Sequence, residues 1–226
     1  MKKGFTLAEV LITLGIIGVV AAITLSTLIK NYQKHVWVNQ LKKEYSILSQ
    51  GFQKMMADDG VTQLSDTTVF GKIQNGCTAY HDIESADCKD FLNEFKKYFK
   101  VISIDKDSEY KIRKKDSSNY YTYNENIIKL ADGSFLIYHN FSKNGNDTRF
   151  DLDINGKKGP NTYGRDIFYF NYRNNGKMVP LGSAEGAHYW KTAQFYYGLS
   201  CGKDSENGDW GGCLARIIEE GWKMNY

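Results

Sequence analysis

The sequence predicts an α+β fold in which one long N-terminal helix packs against an antiparallel β-sheet. Residues 10–29 carry no charge, and apolar residues after them recur at helical spacing. The chain contains 16 Tyr and 21 Gly but only 2 Pro. That composition favours strands joined by tight polar turns over a helical bundle. A long first helix followed by a mostly β head is therefore expected.

The size of the chain indicates how many domains it has, whereas its charge does not identify a binding partner. Its 226 residues suffice for one sizeable domain with an appendage. The formal net charge is +3, with acidic and basic residues mixed throughout. Such a distribution gives no strong field for nucleic acid or for an anionic membrane surface.

The first element is an uncharged segment at residues 10–29, which has about the length that a helix needs to cross a bilayer. Lys2 and Lys3 precede it, which places the amino end in the cytoplasm and the head across the membrane. An ordinary secretory signal peptide, cleaved near Ala21 and Ala22, is the alternative.

Two residues favour an anchor over a secretory signal. Glu9 is a lone carboxylate at the start of the apolar stretch, where placing a charge near the membrane interior is unfavourable. An ordinary signal peptide would have no use for it. Gly4 directly precedes Phe5, and a small residue there lets an extended backbone enter a peptidase site. The segment Lys-Gly-Phe-Thr-Leu-Ala-Glu-Val-Leu-Ile, residues 3–12, resembles the leader of type IV prepilins and type II secretion pseudopilins.

This resemblance implies a role for each residue of the motif. A prepilin peptidase and N-methyltransferase cuts after Gly4 and methylates the new amine of Phe5, and Glu9 helps assembly. The buried carboxylate and the new ammonium would neutralise each other between neighbouring subunits, which gives Glu9 a physical role in register. Many family members have Pro where Ser26 stands here, so the flexibility of the helix at that point is left open.

The resemblance also implies a pilin-like division of the chain. Its parts are a leader (1–4), a transmembrane and polymerisation helix (5–29), an amphipathic helix (30–57) and an extracytoplasmic head (58–226). Before assembly the protein would be a single-pass inner-membrane protein, with its N-terminus cytoplasmic and its head periplasmic or extracellular. It would then join other pilin subunits, of one or several kinds, in a filament at the cell surface or in the periplasm.

The second half of the first helix carries an apolar stripe with alternating spacings of three and four. Asp58, Asp59 and Gly60 supply its stop signal. We expect the stripe to pack against the head. Its members are Val38, Leu41, Tyr45, Leu48, Phe52 and Met55.

The head shows one short helical pattern and then a series of strand patterns separated by turn signals. Asp132-Gly133 predicts a hairpin turn. The sequence predicts a helix at 85–99, strands at 120–123, 127–131, 134–141, 148–154 and 166–172, a helix at 214–220 and a last strand at 222–226.

The four cysteines fall into two local pairs, Cys77 with Cys88 and Cys201 with Cys213. Their spacing differs from that of zinc and thioredoxin motifs, so disulfides are expected. Three connectivities are open, and the local one is preferred because each pair brackets a polar loop. Disulfides would place maturation outside the cytoplasm. Four reduced, buried cysteines are the alternative.

One segment indicates a candidate calcium site, although no cofactor is otherwise expected. Asp151, Asp153 and Asn155 match the opening of a calcium loop, and Asp166 is placed to close an oxygen cage. The twelfth position is Thr162 instead of Glu, which excludes an EF-hand. The alternative is an ordinary hairpin with a polar outward face and an Asn-Gly tip.

Taken together, these patterns predict a structural subunit of a type IV pilus or a type II secretion filament, and not an enzyme. The histidines are scattered and match no catalytic motif. A membrane-anchored adhesin, a minor pilin for DNA uptake and, last, a tethered enzyme are the alternatives. Basic residues at 111–115 precede Tyr120, Tyr121 and Tyr123, a mixture that single strands can use, but a solvated turn explains it equally well. We expect no nucleic-acid partner.

Overall fold

The computed structural model describes residues 4, 6–72, 77–78, 86–106, 108–113, 120–122, 126–141, 148–183, 201 and 211–226. Within these ranges it describes the backbone alone at residues 77–78, 86–87, 120–122, 126, 138–141 and 148. The chain divides into two compact units, residues 1–36 and 37–226. The helix α1 (Leu7–Asp58) belongs to both units. We call its residues 37–58 the stalk segment. The helix ends where the stop signal predicts, with Gly60 at a φ of 66°.

The second unit confirms the α+β prediction. Its helices are α2 (Thr68–Gly71), α3 (Ala86–Phe95) and α4 (Cys213–Glu219). Its strands are β1 (Cys77–Thr78), β2 (Val101–Lys106), β3 (Lys111–Arg113), β4 (Tyr120–Thr122), β5 (Asn126–Leu130), β6 (Phe135–Phe141), β7 (Thr148–Asp153), β8 (Ile167–Tyr172) and β9 (Met178–Pro180).

The main sheet is antiparallel throughout and runs in the order β2-β5-β6-β7-β8-β9, with β1 paired to the end of β6. Strands β3 and β4 form a separate antiparallel pair. The predicted turn at Asp132-Gly133 joins β5 to β6, and Gly133 has the positive φ that such a turn needs.

A hydrophobic core fills the space between the stalk segment and one face of the sheet. Four of the six predicted stripe residues are at most 1% exposed, Val38 is also buried, and Tyr45 packs at the edge. Phe52 is the centre of an aromatic cluster, because its ring lies within 6.3 Å of five others. Those five rings belong to Phe70, Phe95, Phe99, Phe150 and Tyr172.

The opposite face of the sheet is also covered, which the sequence did not predict. A second hydrophobic cluster contains Tyr110, Ile112, Ile127, Phe135, Ile137, Tyr163, Ile167, Cys201 and Cys213. Strand β7 therefore sends Phe150 and Leu152 into the first core and its two aspartates toward the second. The prediction of an outward, polar strand face at 151–155 is wrong for Asp151 and Asp153, which are both fully buried.

The predicted last strand at 222–226 is also wrong. After α4 the chain turns sharply: Gly221 has a φ of 73°, and the amide of Trp222 donates to the carbonyl of Ile217. The residues beyond pair with no described strand. Met224 is buried and Tyr226 packs on the core, so the alternation seen in the sequence comes from packing and not from sheet pairing.

Candidate functional site

The first turn of α1 holds Glu9 in a reciprocal arrangement with Thr6. The amide and the hydroxyl of Thr6 each donate to Oε2 of Glu9 at 2.8 Å, and the amide of Glu9 donates to Oγ1 of Thr6 at 3.3 Å. This is a capping box, which satisfies amide groups that a helix start otherwise leaves without partners. The local sequence therefore fixes where the Glu9 carboxylate lies relative to the helix end.

Residues 7–29, which begin with this turn, present an apolar surface that packs against no described residue. Every residue of this segment is exposed. The helix is long enough and apolar enough to cross a membrane. The large apolar side chains of residues 7–29 that are at least 60% exposed are Leu7, Leu11, Ile12, Leu14, Ile16, Ile17, Val19, Ile23 and Leu28.

Three hydroxyl groups in this apolar segment are paired with the helix backbone. Thr13 donates to Val10 O, and Thr24 donates to Val20 O. Ser26, which stands where many prepilin relatives have Pro, donates to Ile23 O at 3.0 Å, and α1 continues through it. These bonds remove the cost of an unpaired hydroxyl in hydrocarbon.

The predicted processing residues lie just before the capping box. Gly4 is exposed, and no atom lies within 4 Å of the position that a Cβ would occupy. Phe5 lies outside the described residues. The roles of Gly4, Phe5 and Glu9 in cleavage, methylation and assembly stay predictions.

Two of the predicted disulfide cysteines are joined to each other. A disulfide links Cys201 to Cys213, with 4.8 Å between their Cα atoms, and both residues are buried in the second cluster. Nη1 of Arg216 donates to the carbonyl of Cys201, which ties the bridge to α4. Cys88 is fully buried and disulfide-bonded. The side chain of Cys77 lies outside the described part of the chain, as do residues 202–210.

The three candidate calcium aspartates lie at the sheet's second face, and each accepts at least one hydrogen bond from a protein donor, whereas Oδ1 of Asn155 is buried without a hydrogen-bond partner among the described residues. Tyr163 donates to Asp151, and Tyr110 donates to Oδ2 of Asp153. Oδ1 of Asp153 accepts the amides of Asn155 and Gly156. In the same way Asp166 accepts two amides, those of residues 161 and 162.

Burial disfavours the ionised form of two of these carboxylates, Asp153 and Asp166. Burial first, and then the charge of Asp166, raises the pKa of Asp153 to about 8, although the bonds from Tyr110 and two backbone amides oppose the shift. Burial also raises the pKa of Asp166. Within the described ranges no group of three or more His, Cys, Asp or Glu side chains is placed to hold a metal ion. Calcium binding stays a prediction.

Sequence reasoning missed a further buried acid, Glu44, on the sheet-facing side of the stalk segment. It is 2% exposed and accepts a hydrogen bond from Ser134 at 3.2 Å. The sequence does contain a signal for the burial of residue 44, because it lies three positions after Leu41 and four before Leu48 and so shares their face of the helix.

The basic and aromatic segment considered for single-stranded nucleic acid lies at β3 and β4. Lys111 is exposed, Ile112 is buried and Arg113 is half-buried. Residues 114–119 and 123, and the side chains of Tyr120 and Tyr121, lie outside the described residues. The expectation of no nucleic-acid partner stays a prediction.

Comparison with known proteins gives two matches. The model of a family described as "Family of unknown function (DUF6613)" matches residues 27–225. A second model, described as "Prokaryotic N-terminal methylation motif", matches residues 1–25. No curated protein matches the chain, and neither does any solved structure. The second match covers the prepilin-type cleavage and methylation segment and confirms the resemblance stated for it.

Proposed function

The chain belongs to the family of unknown function DUF6613. We propose that it is a filament subunit that is processed like a type IV prepilin. The methylation motif supports a pilin-like or pseudopilin-like secreted subunit. Cleavage after Gly4, methylation of Phe5 and assembly through the first helix are the specific parts of the proposal.

One observation carries this proposal: the methylation motif runs directly into a helical segment whose apolar surface is exposed. Residues 7–29 are exposed in the isolated subunit. In water such a surface would be unfavourable by roughly 25 cal/mol for each Å² of apolar area. A bilayer before assembly and neighbouring helices after it are environments that remove this cost.

The geometry at Glu9 suggests how assembly is specified. Its carboxylate is held at the start of the helix by Thr6, while the cleavage that we propose would create an ammonium at Phe5. A carboxylate in an apolar filament core is costly unless it meets a positive charge. The ammonium of Phe5, in the same subunit or in a neighbour, supplies that charge. Subunits in the correct register would satisfy both groups, and subunits out of register would not.

The same proposal includes location and partners. The amino end is cytoplasmic, the head is periplasmic or extracellular, and the chain is a single-pass inner-membrane protein before assembly. Its partners are a prepilin peptidase with N-methyltransferase activity and other pilin subunits. Type IV pilus and type II secretion filament are the two settings, because the leader serves both.

Mass spectrometry of the mature protein, taken from sheared surface fractions and from the cell envelope, tests this proposal. We expect a mature chain that begins at methylated Phe5. Its recovery in sheared fibres supports a pilus, and its retention in the envelope supports a secretion filament. A start near Ile23 would instead show an ordinary secretory signal and would overturn the proposal.

A variant pair separates assembly from processing. We expect Glu9→Ala to insert and to be cleaved but to be largely absent from filaments. Glu94→Ala is the matched control, because Glu94 is an acid of the head that pairs with Lys97 at the surface. Normal incorporation of Glu9→Ala would exclude the assembly role of this carboxylate.

A further inference from the structure

Glu44 of the stalk segment meets the β5–β6 turn through a cluster of four side chains. Ser134 Oγ lies 3.2 Å from Oε2 of Glu44 and 2.8 Å from Oδ1 of Asp132. Nζ of Lys43 lies 3.2 Å from Oε1 of Glu44 and 2.8 Å from Oδ2 of Asp132. The Ser134 hydroxyl and the Lys43 ammonium therefore each contact both carboxyl groups, which places the two acids side by side. We call these four residues the stalk cluster.

The stalk cluster contains two acids and one base at the edge of the core. Glu44 and Ser134 are almost completely buried, whereas the side chains of Lys43 and Asp132 are 55% and 25% exposed. One exposed ammonium screens two adjacent carboxylates poorly, and a negative charge on the buried Glu44 beside that of Asp132 is costly. A single proton between the carboxyl groups removes that cost and adds a hydrogen bond.

We propose that Glu44 and Asp132 share one proton, and that this proton holds the stalk segment against the β5–β6 turn, so that their contact weakens as the pH rises toward and above neutrality. The head is then a pH-sensitive unit whose helix is held most firmly in mildly acidic surroundings. This inference concerns the folded head alone and does not rest on the filament role.

The direction of the titration agrees with the geometry. Burial, and then the hydrogen bond and charge of Asp132, raises the pKa of Glu44 to about 7. The pKa of Asp132 is lowered, because hydrogen bonds from Glu44, Lys43 and Ser134 outweigh the effect of burial. Since Glu44 is almost completely buried and the side chain of Asp132 is 25% exposed, the proton belongs mainly to Glu44, and Asp132 is the acceptor.

The sign of the pH effect follows from which state holds the proton more tightly. The folded state binds it with a pKa near 7 at Glu44, and the unfolded state with the ordinary value of 4.5. The stabilisation is complete below the unfolded value and is lost as the pH rises through the folded one. The charged groups that act on Glu44 are Lys43 from its own helix and Asp132 from the turn.

Urea unfolding of the full-length protein in detergent, followed by tryptophan fluorescence from about pH 5 to about pH 8, tests the inference. From the two pKa values, the unfolding equilibrium constant of wild type should rise by roughly tenfold to a hundredfold over this range through Glu44 alone. Glu44→Gln mimics the protonated acid and should lack that part of the increase. Asp58→Asn, at an exposed acid of the same helix, is the matched control and should keep it.

Only the difference between variant and wild type reports on Glu44, because other groups with raised pKa values, such as Asp153, also titrate in this range. The inference is supported if Glu44→Gln is as stable to urea as wild type near pH 5 and more stable than wild type near pH 8. The same pH dependence in both proteins would overturn it. If Glu44→Gln does not fold, carbon-13 NMR of labelled glutamate in the wild type decides the matter: a carboxyl that titrates near 7 supports the shared proton, and ordinary values for every glutamate overturn it.

Discussion

The ring of Phe99 lies directly against the backbone of Gly51, at the one described position of the stalk segment that has no side chain. A Cβ at residue 51 would overlap Cε1 and Cζ of that ring. The ring also contacts Phe52 and Phe95, with centroids 5.5 and 4.5 Å away. The glycine therefore lets a buried aromatic residue approach the helix, and its space is already filled.

We expect Gly51→Ala to destabilise the head even though alanine favours helices. The gain in helix propensity is about 1 kcal/mol, whereas forcing an extra methyl group into a packed core costs about 1 to 3 kcal/mol. Since Phe99 is enclosed by other rings, the cost should exceed the gain, and the midpoint of urea unfolding should fall.

Gly71→Ala is the matched control for that substitution. Gly71 is also helical, but it is exposed and has no atom within 4 Å of the position of a Cβ. We expect the midpoint of this variant to be unchanged or slightly raised. If Gly51→Ala were as stable as Gly71→Ala, the contact with Phe99 would have no energetic consequence.

The first helix was predictable because its signals are local. The apolar run, the stripe of the second half and the stop at 58–60 depend on sequence spacing, and α1 ends at Asp58. The same applies to the β5–β6 hairpin, whose Asp-Gly turn needs only its own residues. Glu44 shows the limit of this approach, because a helical face identifies burial but not the partner that makes a buried acid tolerable.

The second face of the sheet was unpredictable because its cover comes from distant parts of the chain. Tyr110 lies 43 positions from Asp153, and the cysteines of the C-terminal disulfide cover the same face. Alternation along β7 showed that Asp151 and Asp153 share a side, but period two cannot distinguish solvent from a second core. Tertiary packing decided the question.

Removing the bridge between Cys201 and Cys213 should destabilise the second cluster. Both cysteines are buried, so Cys201→Ala with Cys213→Ala loses apolar contact as well as the constraint on the unfolded chain. Loss of a disulfide of this kind costs about 2 to 5 kcal/mol. Thermal unfolding of the double variant should occur at a lower temperature than that of wild type.

The reduced wild-type protein is the control for that experiment. Because reduction also breaks the disulfide of Cys88, it should be compared with the double variant melted under the same reducing conditions. The difference between the two reduced proteins then reports the lost side-chain contacts, and any larger difference between the two oxidised proteins reports the bridge. Equal melting temperatures for the oxidised protein and the double variant would show that the bridge is dispensable for the head.

Calcium titration tests the candidate loop at Asp151, Asp153, Asn155 and Asp166. A calcium ion needs six to eight oxygen ligands, roughly. Here it would have to replace the bonds from Tyr163, from Tyr110 and from the backbone amides. If these bonds stay in place, the melting temperature will be the same in excess calcium chloride and in excess EDTA. A rise with calcium that Asp166→Asn abolishes would establish the site and would require a rearrangement of these bonds.

Thr6 should matter for assembly because it holds the Glu9 carboxylate. Thr6→Val keeps the shape of the side chain but removes the hydroxyl that bonds to Glu9 at 2.8 Å, whereas Thr6→Ser keeps it. Losing such an N-terminal cap costs about 1 kcal/mol of helix stability. It also frees the carboxylate to turn away from the proposed partner amine of Phe5. We expect both variants to be cleaved normally, with Thr6→Val depleted from sheared fibres relative to Thr6→Ser. Equal amounts of the two variants in fibres would show that the capping box stabilises the helix start without guiding assembly.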